Sequence, residues 1–215
     1  MSESTAKQRR RYTWADYQSW PDDERWEIIG GEAYAMSPSP TSRHQIISRE
    51  LGRQMANYFK GKKCQLFAAP MDVFLSDEDI VQPDLLVVCN PNQIKRKIEG
   101  APDLVVEILS DSSGYRDRHL KLELYARAGV KEYWIVTPWP ALVELLLLER
   151  GRYVVHKTFG KDQTLISPTF PDLQITLTDV FDFPLDSHEQ PPAVKEPPQP
   201  YRAAVPATPV GIAGS

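Results

Sequence analysis

Apolar residues recur with two different periods along this chain, and the changes of period mark out its elements. Thr13 stands before Trp14-Ala15-Asp16-Tyr17 and Pro21 follows, which predicts a short capped helix within residues 14–24. Two short runs, 25–29 and 32–36, flank Gly30-Gly31 and predict a β-hairpin. Ser37-Pro38-Ser39-Pro40 then breaks the chain. Thr41 or Ser42 can cap a long helix to about Lys60, because Ile47, Leu51, Met55 and Tyr58 keep helical spacing and Gly61 stops it. Strand-like runs follow at 66–75, 82–88 and 103–109. Residues 117–128 read as a helix ended by Gly129, and 132–136 as a strand. The runs 142–148 and 153–158 form a hairpin around Gly151, with a last strand near 173–177. The strand–helix–strand stretch from 103 to 136 predicts a parallel pair joined by a right-handed crossover. The expected fold is a mixed α/β core.

Length and composition narrow this picture. A chain of 215 residues, 41% hydrophobic, suits one cored domain with an extension. No apolar stretch approaches membrane-spanning length; runs such as Leu145 to Leu148, which follows Glu144, are short. The basic residues Lys7 and Arg9 to Arg11 precede no apolar segment, so a cytoplasmic location is expected. Cys64 and Cys89 lack metal-type spacing and sit beside apolar runs, which predicts two buried free thiols in a reducing compartment. Net charge is −4, from 25 basic and 29 acidic residues, so only a local patch could favour nucleic acid. Seven prolines fall between Glu189 and Ser215, among few large apolar residues. The expected organisation is a disordered N-terminus over 1–11, a domain over 12–186 and a Pro-rich disordered tail over 187–215.

Three positions carry candidate chemistry. Asp84 stands at the mouth of the apolar strand Leu85-Leu86-Val87-Val88, where it is a strand-end turn residue or a functional carboxylate. Glu107 interrupts Leu104-Val105-Val106 and Ile108-Leu109; inside a strand buried on both faces it needs an arginine or a metal ion. On the helix 117–128 the core stripe holds Leu120, Leu124, Tyr125 and Ala128, and Lys121 falls within it. Such a lysine either snorkels or sits against carboxylates. The run Lys95-Arg96-Lys97 reads as a solvated loop or a phosphate contact, and Glu132-Tyr133-Trp134 as packing.

The segments Trp26-Glu27-Ile28-Ile29-Gly30-Gly31-Glu32, Pro83-Asp84, Pro102-Asp103-Leu104-Val105-Val106-Glu107-Ile108-Leu109-Ser110, Arg116-Asp117-Arg118-His119-Leu120-Lys121-Leu122 and Ala128-Gly129-Val130-Lys131-Glu132-Tyr133-Trp134-Ile135-Val136 resemble the Uma-type family of restriction endonucleases. That family is a branch of the PD-(D/E)xK nuclease superfamily, and the resemblance runs roughly from Tyr12 to Phe183. It implies a restriction-endonuclease-like mixed β-sheet core flanked by helices, with an N-terminal β-hairpin. It implies Asp84 and Glu107 as metal-binding acids, with the main-chain carbonyl of Ile108 as a further ligand. The plain superfamily motif sets its lysine two residues after the acid, where this chain has Leu109; Lys121 on the following helix takes that role. Glu27 matches the hairpin acid and His44 the histidine opening the long helix. Read from the residues alone, Glu27 could equally face water, and His44 could cap or stack. The chain departs from the family at Gly30, where an acid or Asn is usual, and at Arg116-Asp117, where Tyr-Asp is usual.

These residues suit phosphodiester hydrolysis. Two carboxylates can hold Mg²⁺ or Mn²⁺ through hard oxygens, and a neighbouring lysine can orient water and offset developing charge. The expected function is metal-dependent endonuclease activity, with Asp84, Glu107, Lys121 and Glu27 as catalytic residues. The expected partner is nucleic acid, DNA foremost; a homodimer is admitted and a membrane is not. One alternative is a catalytically inactive nucleic-acid-binding or assembly module on the same fold. A zinc hydrolase is disfavoured, because His44, His119, His156 and His188 are scattered.

Overall fold

The computed structural model describes residues 10–21, 23–36, 40–110 and 116–183. The expectations for the N-terminal residues 1–9 and for the Pro-rich tail lie outside these residues. The order of elements begins with α1 (Trp14–Tyr17), the hairpin β1 (Trp26–Ile29) and β2 (Glu32–Ala35), and α2 (Ser42–Phe59). Next come β3 (Gln65–Ala68), β4 (Val73–Ser76), β5 (Asp79–Val81), β6 (Leu85–Val88), β7 (Ile98–Glu99) and β8 (Leu104–Ile108). A π-helical turn (Arg116–Leu120) leads into α3 (Lys121–Ala128), then β9 (Glu132–Thr137), β10 (Leu142–Glu149) and β11 (Arg152–Gly160). The described part closes with β12 (Thr164–Ile166), β13 (Gln174–Thr176) and α4 (Leu177–Val180).

The strands form two main sheets, ordered β2-β1-β5-β4-β7 and β11-β10-β9-β8-β6-β3, with β12-β13 as a separate pair. β8 and β9 are parallel, as the strand–helix–strand pattern predicts. One face of the six-stranded sheet presents Leu85, Val87, Leu104, Val106 and Ile108 to Ile47, Leu51, Met55 and Phe59 of α2. The other face presents Leu86, Val88, Val105 and Tyr133 to Leu124 and Tyr125 of α3 and to Ile29, Val73, Val81 and Ile98 of the five-stranded sheet. This layering explains why β6 and β8 read as unbroken apolar runs: both of their faces are covered.

The structure corrects several sequence expectations. The run 66–75 is not a single strand: it splits into β3 and β4, which lie in different sheets on either side of Pro70. The strand expected over 82–88 begins only at Leu85, after Pro83, whose nitrogen has no N–H for a ladder. The first helix ends at Tyr17, although Thr13 and Asp16 do form its capping box. The helix expected over 117–128 starts as the π-helical turn and becomes α-helical only at Lys121. Cys64 and Cys89 are not free thiols but a disulfide. They continue the β3–β6 register by one residue, which brings them face to face. The bond removes one ground for expecting a reducing compartment. No helix among the described residues is long and apolar enough to cross a membrane.

Asp79 pins the hairpin to the crossover helix. Its Oδ1 accepts from the Gly30 N–H at 2.8 Å and from Arg127 at 2.5 Å, and its Oδ2 accepts from the Ser76 hydroxyl at 2.7 Å. Burial works to raise the Asp79 carboxyl, but the Gly30 N–H, Arg127 and Ser76 together hold it below the usual carboxylate range. A depressed native pKa contributes stability above the unfolded value that is lost as pH falls through the folded one. Asp79→Ala is therefore expected to lower unfolding free energy by about 2 kcal/mol at neutral pH. The difference should narrow below about pH 4, as the wild-type carboxyl takes up a proton. Urea melts of both proteins at the two pH values check this; a deficit independent of pH contradicts it.

Candidate active site

The candidate residues meet where the two sheets approach the start of α3. Glu107 lies on β8, one step beyond Val105 on the face that packs against α3. Glu27 lies on β1, an inner strand between β2 and β5 whose four residues are all buried. Glu27 is 1% exposed, Glu107 3% and Lys121 3%. Burying three charges is costly unless they pair, and they do. Lys121 Nζ lies 2.8 Å from Glu27 Oε1 and 2.9 Å from Glu107 Oε1. The ammonium thus joins a carboxylate of each sheet. Of the two readings of Lys121, snorkelling fails; of the two readings of Glu27, the water-facing one fails. Glu107 is held by Lys121 and by the Tyr125 hydroxyl, which donates to Oε1 at 2.7 Å.

Asp84 sits at the same end of the six-stranded sheet. β6 and β8 pair antiparallel with Leu85 opposite Val106, so continuing the register by one residue sets Asp84 opposite Glu107. Asp84 Oδ2 accepts from the Ile108 N–H at 2.7 Å, which ties it to the residue after Glu107. Its Oδ1 lies 3.2 Å from His44 Nε2. His44 is placed by the start of α2, where the Thr41 side chain caps the helix by accepting from the His44 N–H at 3.2 Å. The structure therefore brings Asp84, Glu107, Lys121, Glu27 and His44 to one site.

Three further residues join it. Tyr125 stands four residues after Lys121 on the same helix stripe, where the sequence pattern marks it only as core. Burial, with Glu107 adding to it, pushes its phenol well above the usual value, so it stays protonated and remains a donor. The Gln82 N–H donates to Glu27 Oε1 at 3.1 Å, and Arg25 and Tyr17 hold the Gln82 side chain in turn. Arg116 Nη1 lies 3.9 Å from Glu27 Oε2 and donates to the Ala35 carbonyl at 3.3 Å. A tyrosine in an otherwise apolar stripe, one turn from a buried lysine, is the signal that marks Tyr125. Nothing comparable marks Gln82, whose contact is made by main chain.

Other sequence candidates lie elsewhere. Lys95 and Lys97 pair with Glu99 at the β7 edge of the five-stranded sheet. Glu132, fully buried, accepts from Trp134 Nε1, the Ser167 hydroxyl and the Thr169 N–H, and so fixes the turn before β13. Among the described residues, no three His, Cys, Asp or Glu side chains form a metal-ligating group. The donor set is that of a hard cation: two carboxylates on neighbouring strands. Mg²⁺ is commonly held by one or two carboxylates, its other positions going to water and phosphate, and oxygen donors of that kind are what Asp84 and Glu107 offer.

Comparisons with known proteins agree with this architecture. An uncharacterised protein of Synechocystis sp. is 28% identical over 135 residues, covering 60% of this chain and 70% of the relative. A crystal structure of a "putative nuclease belonging to DUF820" from Anabaena variabilis superposes with a TM-score of 0.66. At 20% identity, over 79% of this chain and 97% of that one, it shows that the two share a fold. The profile of the Uma2 family, described as "putative restriction endonuclease", matches residues 14–178 and spans every residue of the site. The chain belongs to the Uma2 family.

Proposed function

We propose that this protein is a metal-dependent endonuclease that hydrolyses phosphodiester bonds of nucleic acid, DNA foremost. The observation that carries the reading is the Lys121 ammonium bound between Glu27 and Glu107, with Asp84 opposite on the next strand. The restriction-endonuclease character ascribed to the family and the nuclease character ascribed to the Anabaena protein support the same reaction class. A Mg²⁺ or Mn²⁺ ion held by Asp84 and Glu107, with the Ile108 carbonyl as a further ligand, would polarise the phosphate and acidify a bound water.

The chain's own residues do the rest. Tyr125 and Lys121 fix the orientation of Glu107, while the Ile108 N–H and His44 fix that of Asp84. Glu27 holds Lys121 from the other sheet. Lys121 supplies positive charge where negative charge develops as water attacks phosphorus. The attacking water gives up its proton to solvent as the P–O bond breaks, and the leaving oxygen takes up a proton from solvent water.

Incubation of the protein with plasmid, single-stranded DNA and RNA tests the proposal. Cleavage is expected with Mg²⁺ or Mn²⁺ and is expected to stop in chelator. Full cleavage in chelator contradicts the metal mechanism. Absence of cleavage of all substrates with both ions contradicts the enzyme.

A further inference from the structure

Trp139 is the one large aromatic side chain among the described residues that is mostly exposed, at 52%. It lies in the turn after β9, two residues beyond Thr137. That turn is at the sheet end that carries Glu107, since the Leu109 N–H donates to the Val136 carbonyl at 2.8 Å. The Arg43 guanidinium lies 5.8 Å from the Trp139 ring centroid and 4.8 Å from that of Phe183. Arg43 adjoins His44, which reaches Asp84. On the other side, Arg118 donates to Thr137 Oγ1 at 3.1 Å and fixes the base of the turn. The other exposed large apolar residues, Val154, Val155 and Ile166, lie on β11 and β12 and do not extend this surface.

A half-exposed indole at the sheet end that carries Glu107 offers apolar ring surface to a ligand bound there. A flat ring with a guanidinium over it suits one chemistry in particular: a nucleobase stacks on the ring while the cation faces the adjoining phosphate. In an uninterrupted duplex each internal base already has a neighbour on both faces. Only an unpaired base offers a free face. We propose that Trp139, with Arg43, is a stacking platform for an unpaired base next to the phosphate to be cut, and that the favoured substrate carries a single-stranded tail or flap. This inference rests on the reading of the Asp84–Glu107 site as phosphodiester-cleaving.

The test measures binding in chelator, where nothing is cut, of a blunt duplex and of the same duplex with a single-stranded tail bearing 2-aminopurine. Wild type is expected to bind the tailed duplex roughly tenfold more tightly and to quench the 2-aminopurine. Trp139→Ala should lose that preference and the quenching while binding the blunt duplex within about twofold of wild type. Trp139→Phe, which keeps a ring, should recover most of the loss. Wild-type affinity of Trp139→Ala for the tailed duplex overturns the platform, as does an equal loss for both duplexes or no binding by wild type. Wild-type cleavage with Mg²⁺ is scored separately. Tail-specific loss without any wild-type cleavage leaves the platform standing and removes the enzyme; cleavage with an unaltered Trp139→Ala does the reverse.

Discussion

Lys121→Met is expected to cut the cleavage rate by roughly a hundred- to a thousandfold, the scale seen when one preorganised charge-stabilising donor is lost. It should also cost about 3 to 5 kcal/mol of stability at neutral pH, because it leaves Glu27 and Glu107 buried without their shared cation. The two losses have different signatures. Buried carboxylates deprived of their nearest cation have raised native pKa values, so the variant's stability is retained at low pH and lost as pH rises through those values. Its deficit against wild type should therefore shrink on acidification. If the single variant does not fold, Glu27→Gln combined with Lys121→Met removes one of the unpaired charges and should recover part of the stability, but none of the activity. Denaturant melts across pH, with single-turnover cleavage under conditions where each protein is folded, measure both. A variant that melts like wild type and cleaves like wild type would show that the ammonium serves neither role.

The sequence revealed those parts of the molecule whose signals are local. α2 carries its own cap at Thr41 and a stripe at Ile47, Leu51 and Met55, so both its existence and its buried face could be read directly. β8, α3 and β9 were legible for the same reason, and Lys121 fell on the buried stripe by periodicity alone. What could not be read was anything set by the meeting of two sheets. Period-2 alternation cannot say whether the far side of a hairpin faces water or another sheet, so the burial of Glu27 stayed open. The split of 66–75 and the late start of the strand expected over 82–88 fall at single prolines inside those runs. The Cys64–Cys89 bond depends on the β3–β6 register, a long-range pairing with no local mark. Tyr125 was seen as core, and it is core; its hydroxyl is what ties it to Glu107.

Asp84→Asn separates the proposed metal role of the site from its structural role. Asparagine keeps an oxygen that can accept from the Ile108 N–H, and the side chain lies at a strand end and not in the apolar interior. The expected change in unfolding free energy is therefore within about 1 kcal/mol. Loss of one ligand charge removes several kcal/mol of phosphate and water activation, so cleavage should fall by about a thousandfold or more. The most direct measurement is the single-turnover cleavage rate of one labelled DNA across a Mg²⁺ series, for wild type and Asp84→Asn purified in parallel. The account predicts a rate that rises with Mg²⁺ for wild type and stays near background at every concentration for the variant, with both proteins melting alike. Equal rates for the two proteins would contradict it.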